Sequence, residues 1–564
     1  MRVLPPPEIA ARLDDHFSLL TSGSPRTLPR HQTLRAAIDW SYELLSDPER
    51  ELFSRLSVFA GGFTLEAAEE VCGDERVEHE MLELLSRLVD QSLVVAGDGS
   101  NARFRMLETL RRYAGERLAA SGTAEALQSR HAAYFLQLAE RAEPLLRGPQ
   151  QGDWLRWLEA EHDNFSAAID WALRHDSEVA VRLSGALAYF WLIGRHRSEV
   201  RRRLDQAVDM GRGASSASRT RALVWAAVLG CYEGKLDQAA SQAKESHELS
   251  GDVGDPWWVA MSGGILGLAL GLQGDIRAGD ELLEEARAGF AGMGDEWGAA
   301  VTAVWLAYLS TFAAQHERTA ELAHRGLDGY RAVGDRWGQT MALELLGWSA
   351  RRRGAYEDAV AVYEEALGVV RDLGLRDEVP FLLVDLGNLQ ALLGDFEAAA
   401  MLHKEGLVLA MELGARDTVA HARNGLGLAA RRQGNYGRAR ELHLEALSFF
   451  REAGFTEETA YSLACLGFVE ELREDLDAAE ALHRESLLLA RELVDELPIA
   501  LALEALACVA AARQQPQRAA ALLGQRSRSA SAPGRLTPQE RVDVDRATDA
   551  AVDALGREAF TGGA

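Results

Sequence analysis

The chain contains 564 residues, far more than the roughly 100 to 200 of a typical domain, so we expect several folding units or a repeat array. Hydrophobic residues make up 47% of the chain and charged residues 26%, and no stretch approaches the ~18 uninterrupted apolar residues of a membrane helix. The formal charge is −26, and residues 1–120 carry 14 Lys and Arg against 20 Asp and Glu. These values argue against a membrane protein and against a basic nucleic-acid surface.

The cysteines and the first residues narrow the class further. The four cysteines lie far apart, without the close spacings of disulfide frameworks or zinc-binding motifs. Residues 1–20 hold three consecutive prolines and an acidic amphipathic segment rather than a secretory signal. We therefore expect a cytoplasmic protein that holds no metal ion.

Residues 33–121 change from a helical pattern to a strand pattern and back. Four helices are predicted first, over Thr33–Leu45, from Asp47 onward, over Thr64–Cys72 and over Glu78–Gln91. Two strands then flank a turn at Gly97–Asn101, and a further helix follows; these are Leu93–Ala96, Arg103–Leu107 and Thr109–Ala120. Several helices followed by a small hairpin describe a winged-helix domain.

From residue 194 onward the sequence repeats with a period of 40 residues. Turn signals recur at Gly234, Gly274, Gly354, Gly394 and Gly434, with degenerate copies at Ala314, Glu474 and Gln514. Another glycine follows twenty residues after most of these starts, and Gly194 marks one earlier, weaker copy. Two turns per period divide each unit into two amphipathic helices, and a glycine suits the left-handed residue that closes a helix. Each unit is therefore predicted to be a helical hairpin.

This pattern resembles the tetratricopeptide repeat in a long, 40-residue form covering residues 194–525. One hairpin cannot bury its apolar face alone, so the copies are expected to stack into a superhelix whose concave surface binds a ligand. The predicted fold is mainly α: an N-terminal winged helix with a small β-hairpin, followed by an α-solenoid of tetratricopeptide-like hairpins.

Segments in and beside the predicted winged helix resemble a second family. They are Leu28–Leu45, Leu56–Phe63, Phe104–Ala114 and, in a helical connector, Glu161–Trp171. The family is that of the bacterial signal-transduction ATPases with numerous domains (STAND), many of which are transcriptional regulators ending in a LuxR-type DNA-binding domain. The resemblance implies a switch, in which the winged helix holds a nucleotide-binding domain closed until the repeat sensor engages an inducer.

The resemblance also implies a division of the chain into five parts. Residues 1–32 would be a lead-in and remnant of the ATPase-core lid, 33–121 the winged helix, 122–193 a helical connector, 194–525 the repeats, and 526–564 a linker and terminal helix. That last helix is predicted over Thr537–Gly556. The ATPase core would precede residue 1 and the DNA-binding domain would follow the terminal helix, so we expect neither in this chain.

A nucleotide site finds little support in the residues themselves. A phosphate-binding loop needs Gly-x4-Gly-Lys-Ser/Thr, whereas Gly234-Lys235 is followed by Leu236 at a repeat turn. Met106-Leu107-Glu108 aligns with the Met-His-Asp element by which related switches sense a bound diphosphate, but Leu107 cannot donate a hydrogen bond. Arg105, Met106 and Glu108 are therefore candidates for an interdomain or nucleotide-sensing contact; the alternative is that they are ordinary strand and helix-start residues. ATP or ADP is expected only if the chain pairs with an absent nucleotide-binding domain.

Candidate partner-binding residues lie on the repeats. Arg351, Arg352, Arg353, Arg431 and Arg432 end the first helices of two units, where they either complement the helix dipole or clamp an anionic partner. Trp305 and Tyr308 could add aromatic anchors. Trp257, Trp297 and Trp337 recur at one repeat offset and are interpreted as packing residues.

Neither a metal site nor a catalytic centre is predicted. His403, His443 and His483 each precede a glutamate by two residues, but they stand one repeat apart, too far to share a coordination sphere. No Gly-x-Ser-x-Gly elbow, carboxylate pair or positioned Cys–His pair has a credible setting, so we expect no enzyme.

The favoured function is that of a regulatory sensor and scaffold of a STAND-type bacterial regulator. The repeats would bind an inducer, a peptide or a partner protein, and the winged helix would relay that state to an ATPase or DNA-binding module. Two alternatives remain: a transcription factor that uses the winged helix on DNA, which the acidic balance opposes, and a part of an ATP-hydrolysing switch whose phosphate-binding domain is missing here.

Overall fold

The structure, a computed structural model, describes residues 34–74, 80–97, 103–194, 197–493, 497–529 and 538–556. Within them the protein is mainly helical, as predicted, and the chain divides into two compact units, Met1–Ala269 and Leu270–Ala564. The predicted lead-in and the turn at Gly97–Asn101, beyond Gly97 itself, lie outside the described residues. None of the described helices is both long enough and apolar enough to cross a bilayer.

The first unit begins with a winged-helix domain. Its helices are α1 (Leu34–Glu43), α2 (Asp47–Arg55), α3 (Leu65–Cys72), α4 (Met81–Asp90) and α5 (Glu108–Ser121), and its strands are β1 (Phe63–Thr64), β2 (Val95–Ala96) and β3 (Arg103–Arg105). Strand β3 lies between the other two and pairs antiparallel with both. The predicted hairpin is therefore confirmed, and β1 is a third strand that the two-residue pattern Phe63-Thr64 did not reveal.

Local side chains explain where these helices begin. Ser46 and Glu49 form a capping box at the start of α2, with the Glu49 carboxylate accepting from the Ser46 amide at 2.7 Å. Thr64 caps α3 by accepting from the Ala67 amide at 3.1 Å. The buried core beneath the sheet contains stacked rings of Phe59, Phe63 and Phe104.

The rest of the first unit is helical. It comprises α6 (Ala124–Leu145), α7 (Gln151–Ala160), α8 (His162–His175), α9 (Ser177–Ile193), α10 (Arg197–Met210), α11 (Ser216–Tyr232) and α12 (Leu236–Val253), while α13 (Pro256–Leu272) crosses the boundary between the units. Helices α11 and α12 form the first regular hairpin. Gly194 has an extended conformation with φ −92°, so the copy that starts there lacks the left-handed turn of the later ones.

The second unit is a row of hairpins. Its helices are α14 (Ile276–Met293), α15 (Glu296–Phe312), α16 (His316–Val333), α17 (Arg336–Arg352), α18 (Tyr356–Leu373), α19 (Val379–Leu393), α20 (Phe396–Leu413), α21 (Arg416–Arg432), α22 (Tyr436–Ala453), α23 (Thr456–Leu472), α24 (Leu476–Ala490), α25 (Leu497–Ala512), α26 (Pro516–Ser529) and α27 (Pro538–Leu555). The predicted 40-residue period is confirmed, because corresponding helices begin and end close to 40 residues apart. The predicted terminal helix is confirmed as α27.

The turns confirm the role assigned to the glycines. Gly354, Gly394 and Gly434 have φ of 77°, 93° and 78°, in the left-handed region that glycine tolerates best. Ala314, Glu474 and Gln514 adopt the same conformation at the degenerate copies, with φ of 53°, 67° and 57°. The turn therefore keeps its left-handed backbone conformation in the copies where another residue replaces the glycine.

Neighbouring hairpins of the second unit are in contact along two sides. The first helices of neighbouring hairpins touch one another: α15 touches α17, α19 touches α21, and α23 touches α25. On the second helices, arginines pair with carboxylates of the next hairpin, for example Arg371 with Glu405 at 3.0 Å and Arg451 with Glu485 at 2.5 Å. These pairs are exposed, so each contributes only about 0.2–1 kcal/mol.

Candidate ligand-binding face of the repeats

One surface of the second unit gathers most of the predicted partner-binding residues. It is formed by the first helices α15, α17, α19, α21, α23 and α25, and we call it the first-helix face. Tyr308 on α15, Trp348 on α17 and Phe468 on α23 differ by whole periods and so occupy the same position of the repeat. The same holds for Arg351, Arg431 and Glu471.

Aromatic side chains are exposed on the part of this face nearer α15. Tyr308 and Phe312 are 43% and 55% exposed, and their rings meet edge to face at 5.3 Å. Phe381 on α19 is 47% exposed. The guanidinium of Arg352 lies 5.4 Å from the centre of the half-buried Trp348 ring, a cation–π contact. Large exposed rings beside a cation are typical of binding surfaces.

An acidic residue of α19, Asp385, interacts electrostatically with Arg351 of α17. The half-buried Asp385 carboxyl faces Arg351 and His421, and burial raises its pKa while those two neighbours oppose the rise. Burial, followed by the charge of Asp385, also raises the pKa of the Tyr363 hydroxyl. Arg351 therefore partly neutralises an acidic group of the repeat itself, whereas Arg353 is exposed beyond the end of α17.

Arg431 and Arg432 are already paired within the chain. Arg431 is 7% exposed, and its Nη1 lies 2.8 Å from Oδ2 of Asp543 on α27. Arg432 lies 3.4 Å from the same oxygen. Arg431 also stacks over Phe468, with 5.1 Å between guanidinium and ring centre. In this structure the anion expected at these arginines is a carboxylate of the chain itself.

The two predicted aromatic anchors differ in their exposure to solvent. Trp305 is 5% exposed and packs inside its hairpin, so of the two predicted anchors only Tyr308 reaches the surface. Trp297 and Trp337 are 5% and 4% exposed, as the packing interpretation requires, and Trp257 is half-buried. The Trp297 indole donates to Oδ2 of the buried Asp335 at 2.7 Å.

The three repeated histidines are fully buried packing residues. The rings of His403, His443 and His483 fill the space beside the glycines of the preceding first helices, where a Cβ on Gly387, Gly427 or Gly467 would approach within 3.0 Å. Burial lowers their pKa values to about 4, 3 and 3. The glutamates two residues later pair elsewhere, with Arg371, Arg423 and Arg451 for Glu405, Glu445 and Glu485.

The candidate sensor residues lie on the surface of the winged helix. Arg105 is exposed at the end of β3, opposite Val95, and Met106 is half-buried. Glu108 is exposed and holds Arg111 through two hydrogen bonds of 2.7 and 2.9 Å. Lys235, the lysine of the Gly-Lys pair, ion-pairs with Glu233 at 2.8 Å at the start of α12. These residues do not form a phosphate-binding cradle.

A buried amide joins the winged helix to the connector. Asn164 on α8 is fully buried; its side chain accepts from the amides of Ala60 and Gly61 at 2.9 and 3.4 Å and donates to the Gly62 carbonyl at 2.8 Å. It also donates to Glu161 at 2.7 Å, and Glu161 pairs with Arg103 of β3. The Glu161–Trp171 segment, recognised by resemblance, thus holds the loop before β1.

Several of these residues were missed at the sequence level. Phe312, Trp348 and Phe381 could have been found by asking which aromatic residues fall on the same repeat positions as Tyr308 or the arginine pairs. Asp335 and Asn164 carry no such signal, because a capping aspartate and a helical asparagine are common without long-range partners.

Comparisons with known proteins agree with this architecture. The family model of the winged helix-turn-helix domain matches residues 45–119, and two tetratricopeptide-repeat models match residues 342–377 and 378–452. These matches confirm the two predicted kinds of domain: the chain combines a winged helix with tetratricopeptide repeats.

The chain is also similar to curated relatives and to solved structures. A putative HTH-type transcriptional regulator of Mycobacterium bovis is 37% identical over 271 residues, which cover 45% of this chain and 30% of the relative. The chain thus spans about a third of the length of such relatives. A STAND protein with a tetratricopeptide repeat sensor from Pyrococcus horikoshii is similar at 14% identity and TM-score 0.39, covering 96% of this chain and 68% of that one. The quorum sensor NprR of B. thuringiensis is similar at 13% identity and TM-score 0.44, covering 64% and 97%.

Proposed function

We propose that the chain is the sensor part of a STAND-type bacterial transcriptional regulator of the LuxR-containing kind, acting in the cytoplasm and without catalysis or a cofactor of its own. Its repeats bind a protein or peptide partner on the first-helix face. The winged helix relays the bound state to an ATPase module. The name of the mycobacterial relatives, a putative transcriptional regulator, supports the regulatory assignment.

The observation that carries this proposal is the run of exposed rings and guanidinium groups on α15, α17 and α19. Tyr308, Phe312 and Phe381 leave large apolar areas in water, which favours their burial by a partner. Arg352 and Arg353 lie beside them at the end of α17 and can form charge-assisted hydrogen bonds to carboxylates. The fitting ligand is therefore a peptide segment with apolar anchors and acidic side chains.

The relay is supported by the joint around Asn164. Because this side chain bonds to three successive residues of the winged helix, the connector and the winged helix are held in one fixed arrangement. A rigid joint transmits a change of position, whereas a flexible linker would dissipate it.

Selection from a displayed library of random 12-residue peptides on the full chain tests the binding role. We expect enrichment of peptides with acidic and aromatic residues, and a loss of binding of roughly tenfold or more in the variant Tyr308→Ala, Phe381→Ala. Met401→Ala is the matched control, because Met401 is 64% exposed on the second helix α20. Failure to enrich any peptide, or equal loss in the control, would contradict the proposal.

Direct DNA binding is the second candidate, favoured by the winged helix-turn-helix match. Phosphate contacts need cations, and the acidic balance of residues 1–120 opposes them. A gel-shift titration at low salt separates the two: sequence-dependent retention by the purified chain would favour the DNA-binding function.

A further inference from the structure

Helix α27 lies across the first-helix face rather than only at the end of the row of hairpins. It packs against α25 and α26, the last hairpin, but it also touches α19 and bonds to side chains of α21 and α23. A helix that only closed the row would contact α25 and α26 alone. The face that we propose as the binding surface is thus partly covered by a segment of the same chain.

The contacts are complementary in charge. Asp543 meets Arg431 at 2.8 Å and Arg432 at 3.4 Å, and three residues later Arg546 meets Glu471 at 2.8 Å. The two acidic partners are deeply buried, since the side chains of Asp543 and Glu471 are 9% and 2% exposed. Burial raises the pKa of Glu471, and the neighbouring Arg546 and Arg431 oppose that rise.

Small apolar residues complete the docked side of α27. Ala547 packs with Phe468, Ala505 and Cys508, and the Cys508 thiol donates to the Asp543 carbonyl at 3.3 Å. Val544 packs with Ala507 and Leu523, and Ala551 with Ala510 and Ala519. On the opposite side of the helix Asp549 and Asp553 are exposed, together with Val542, which is 54% exposed.

We propose that α27 is an internal ligand of the first-helix face, and that the external partner of this part of the face is an amphipathic helix of the same chemistry, which displaces it. Such a helix carries a carboxylate for Arg431 and Arg432, an arginine three residues later for Glu471, and small apolar residues at the fourth and eighth positions after the carboxylate. The proposal rests on the binding function proposed for the face, and it adds the partner class and its regulation.

Because α27 is tethered to the face that it covers, it can regulate the binding of an external partner. A segment joined by a short linker competes at an effective concentration on the order of millimolar, so a free partner must bind more tightly than α27 does or it remains excluded. Binding of the partner then releases α27, and that release is a change of state that a neighbouring domain can read.

The first experiment uses the full chain and a fluorescent synthetic peptide of residues 538–556. The variant Asp543→Asn, Arg546→Glu weakens α27 without altering the face, and Asp549→Asn, Asp553→Asn is the control on the exposed side. We expect the peptide to bind the first variant roughly thirtyfold or more tightly than it binds the wild type or the control. Equal binding by all three proteins would overturn the proposal.

Hydrogen exchange of the amides in 538–555 gives an independent readout. Hydrogen exchange should accelerate in Arg546→Glu and in Glu471→Arg. In the double variant, which swaps the two charges, it should return to the wild-type rate. Unchanged exchange in both single variants would show that these contacts do not hold α27, and would also overturn the proposal.

The outcomes separate this inference from the proposed function. If the peptide binds the weakened variant but the peptide library enriches nothing, α27 docks on a face that has no external ligand, and the partner half of the inference fails with the proposed function. If the library enriches peptides but the peptide of residues 538–556 binds wild type and variant equally, the binding function stands and the internal ligand is excluded.

Discussion

Asn164 and Ala60 are 104 residues apart in the chain, yet the side chain of the first accepts a hydrogen bond of 2.9 Å from the backbone amide of the second. The same buried side chain donates to the Gly62 carbonyl. A single side-chain amide therefore satisfies part-buried backbone groups of three successive residues of the winged helix, and a fully buried group left unsatisfied costs about 1–3 kcal/mol.

We predict that Asn164→Ala lowers the free energy of unfolding of the first unit by about 2 kcal/mol, because several part-buried backbone groups lose their hydrogen-bond partner and the buried side chain leaves a gap. Urea denaturation of the full chain measures the loss, and hydrogen exchange at Ala60 and Gly61 should accelerate. Asp163→Ala, at the exposed neighbouring position, is the control. Equal effects of the two substitutions would mean that Asn164 is not the joint.

The helices of the repeats were predictable because the turn residues recur every 40 residues. Each turn needs a left-handed residue, and glycine marks it in most copies. The residues that dock α27 were not predictable as a set. Arg431 and Asp543 are 112 residues apart, and no local pattern indicates which of the many carboxylates meets a given arginine. Strand β1 was missed for a related reason, since two residues are too short for an alternating pattern.

The degenerate turns offer a test of backbone strain. Ala314 has φ 53° and is exposed, so its methyl group gains no contact while the left-handed conformation costs a non-glycine residue roughly 1–2 kcal/mol. We predict that Ala314→Gly stabilises the second unit by about 1 kcal/mol, the remainder being lost to the flexibility of glycine in the unfolded chain. Thermal unfolding monitors the change. Ala313→Gly, one residue earlier at φ −90°, should give no gain; stabilisation by both would contradict the explanation.

Asp335 is expected to matter more than an ordinary helix cap. It caps α17 by accepting from the Gly338 amide at 2.9 Å, and it also accepts from the buried Trp297 indole of the preceding hairpin. Asp335→Ala should lower the free energy of unfolding by about 3 kcal/mol, since both bonds are lost. Asp275→Ala is the matched control: it removes an exposed cap from α14 and should cost about 1 kcal/mol. In the Trp297→Phe background, Asp335→Ala should lower the free energy of unfolding by less than it does in the wild type. If the decrease is the same in both, the hydrogen bond between the two side chains does not stabilise the fold.

The buried histidines predict how the stability of the second unit depends on pH. Their pKa values in the folded chain are about 4 for His403 and about 3 for His443 and His483, well below the ordinary value of 6.5. Below pH 6.5 the unfolded chain therefore binds protons that the folded chain does not, so stability is complete above that pH and falls as the pH decreases towards 4. Each histidine contributes a slope of up to about 1.4 kcal/mol per pH unit.

Urea denaturation between pH 7.5 and 4.5 measures this slope. His403→Met and His483→Met remove a titrating ring that has no hydrogen-bond partner among the described residues, and they should flatten the profile by about one proton each. His324→Met, at an exposed position, controls for the substitution itself. Carboxylates also titrate in this range, but they are common to all four proteins, so the difference between profiles isolates the histidines. A His403→Met profile as steep as that of the wild type would show that the ring is protonated in the folded chain, and the packing role assigned to it would be wrong.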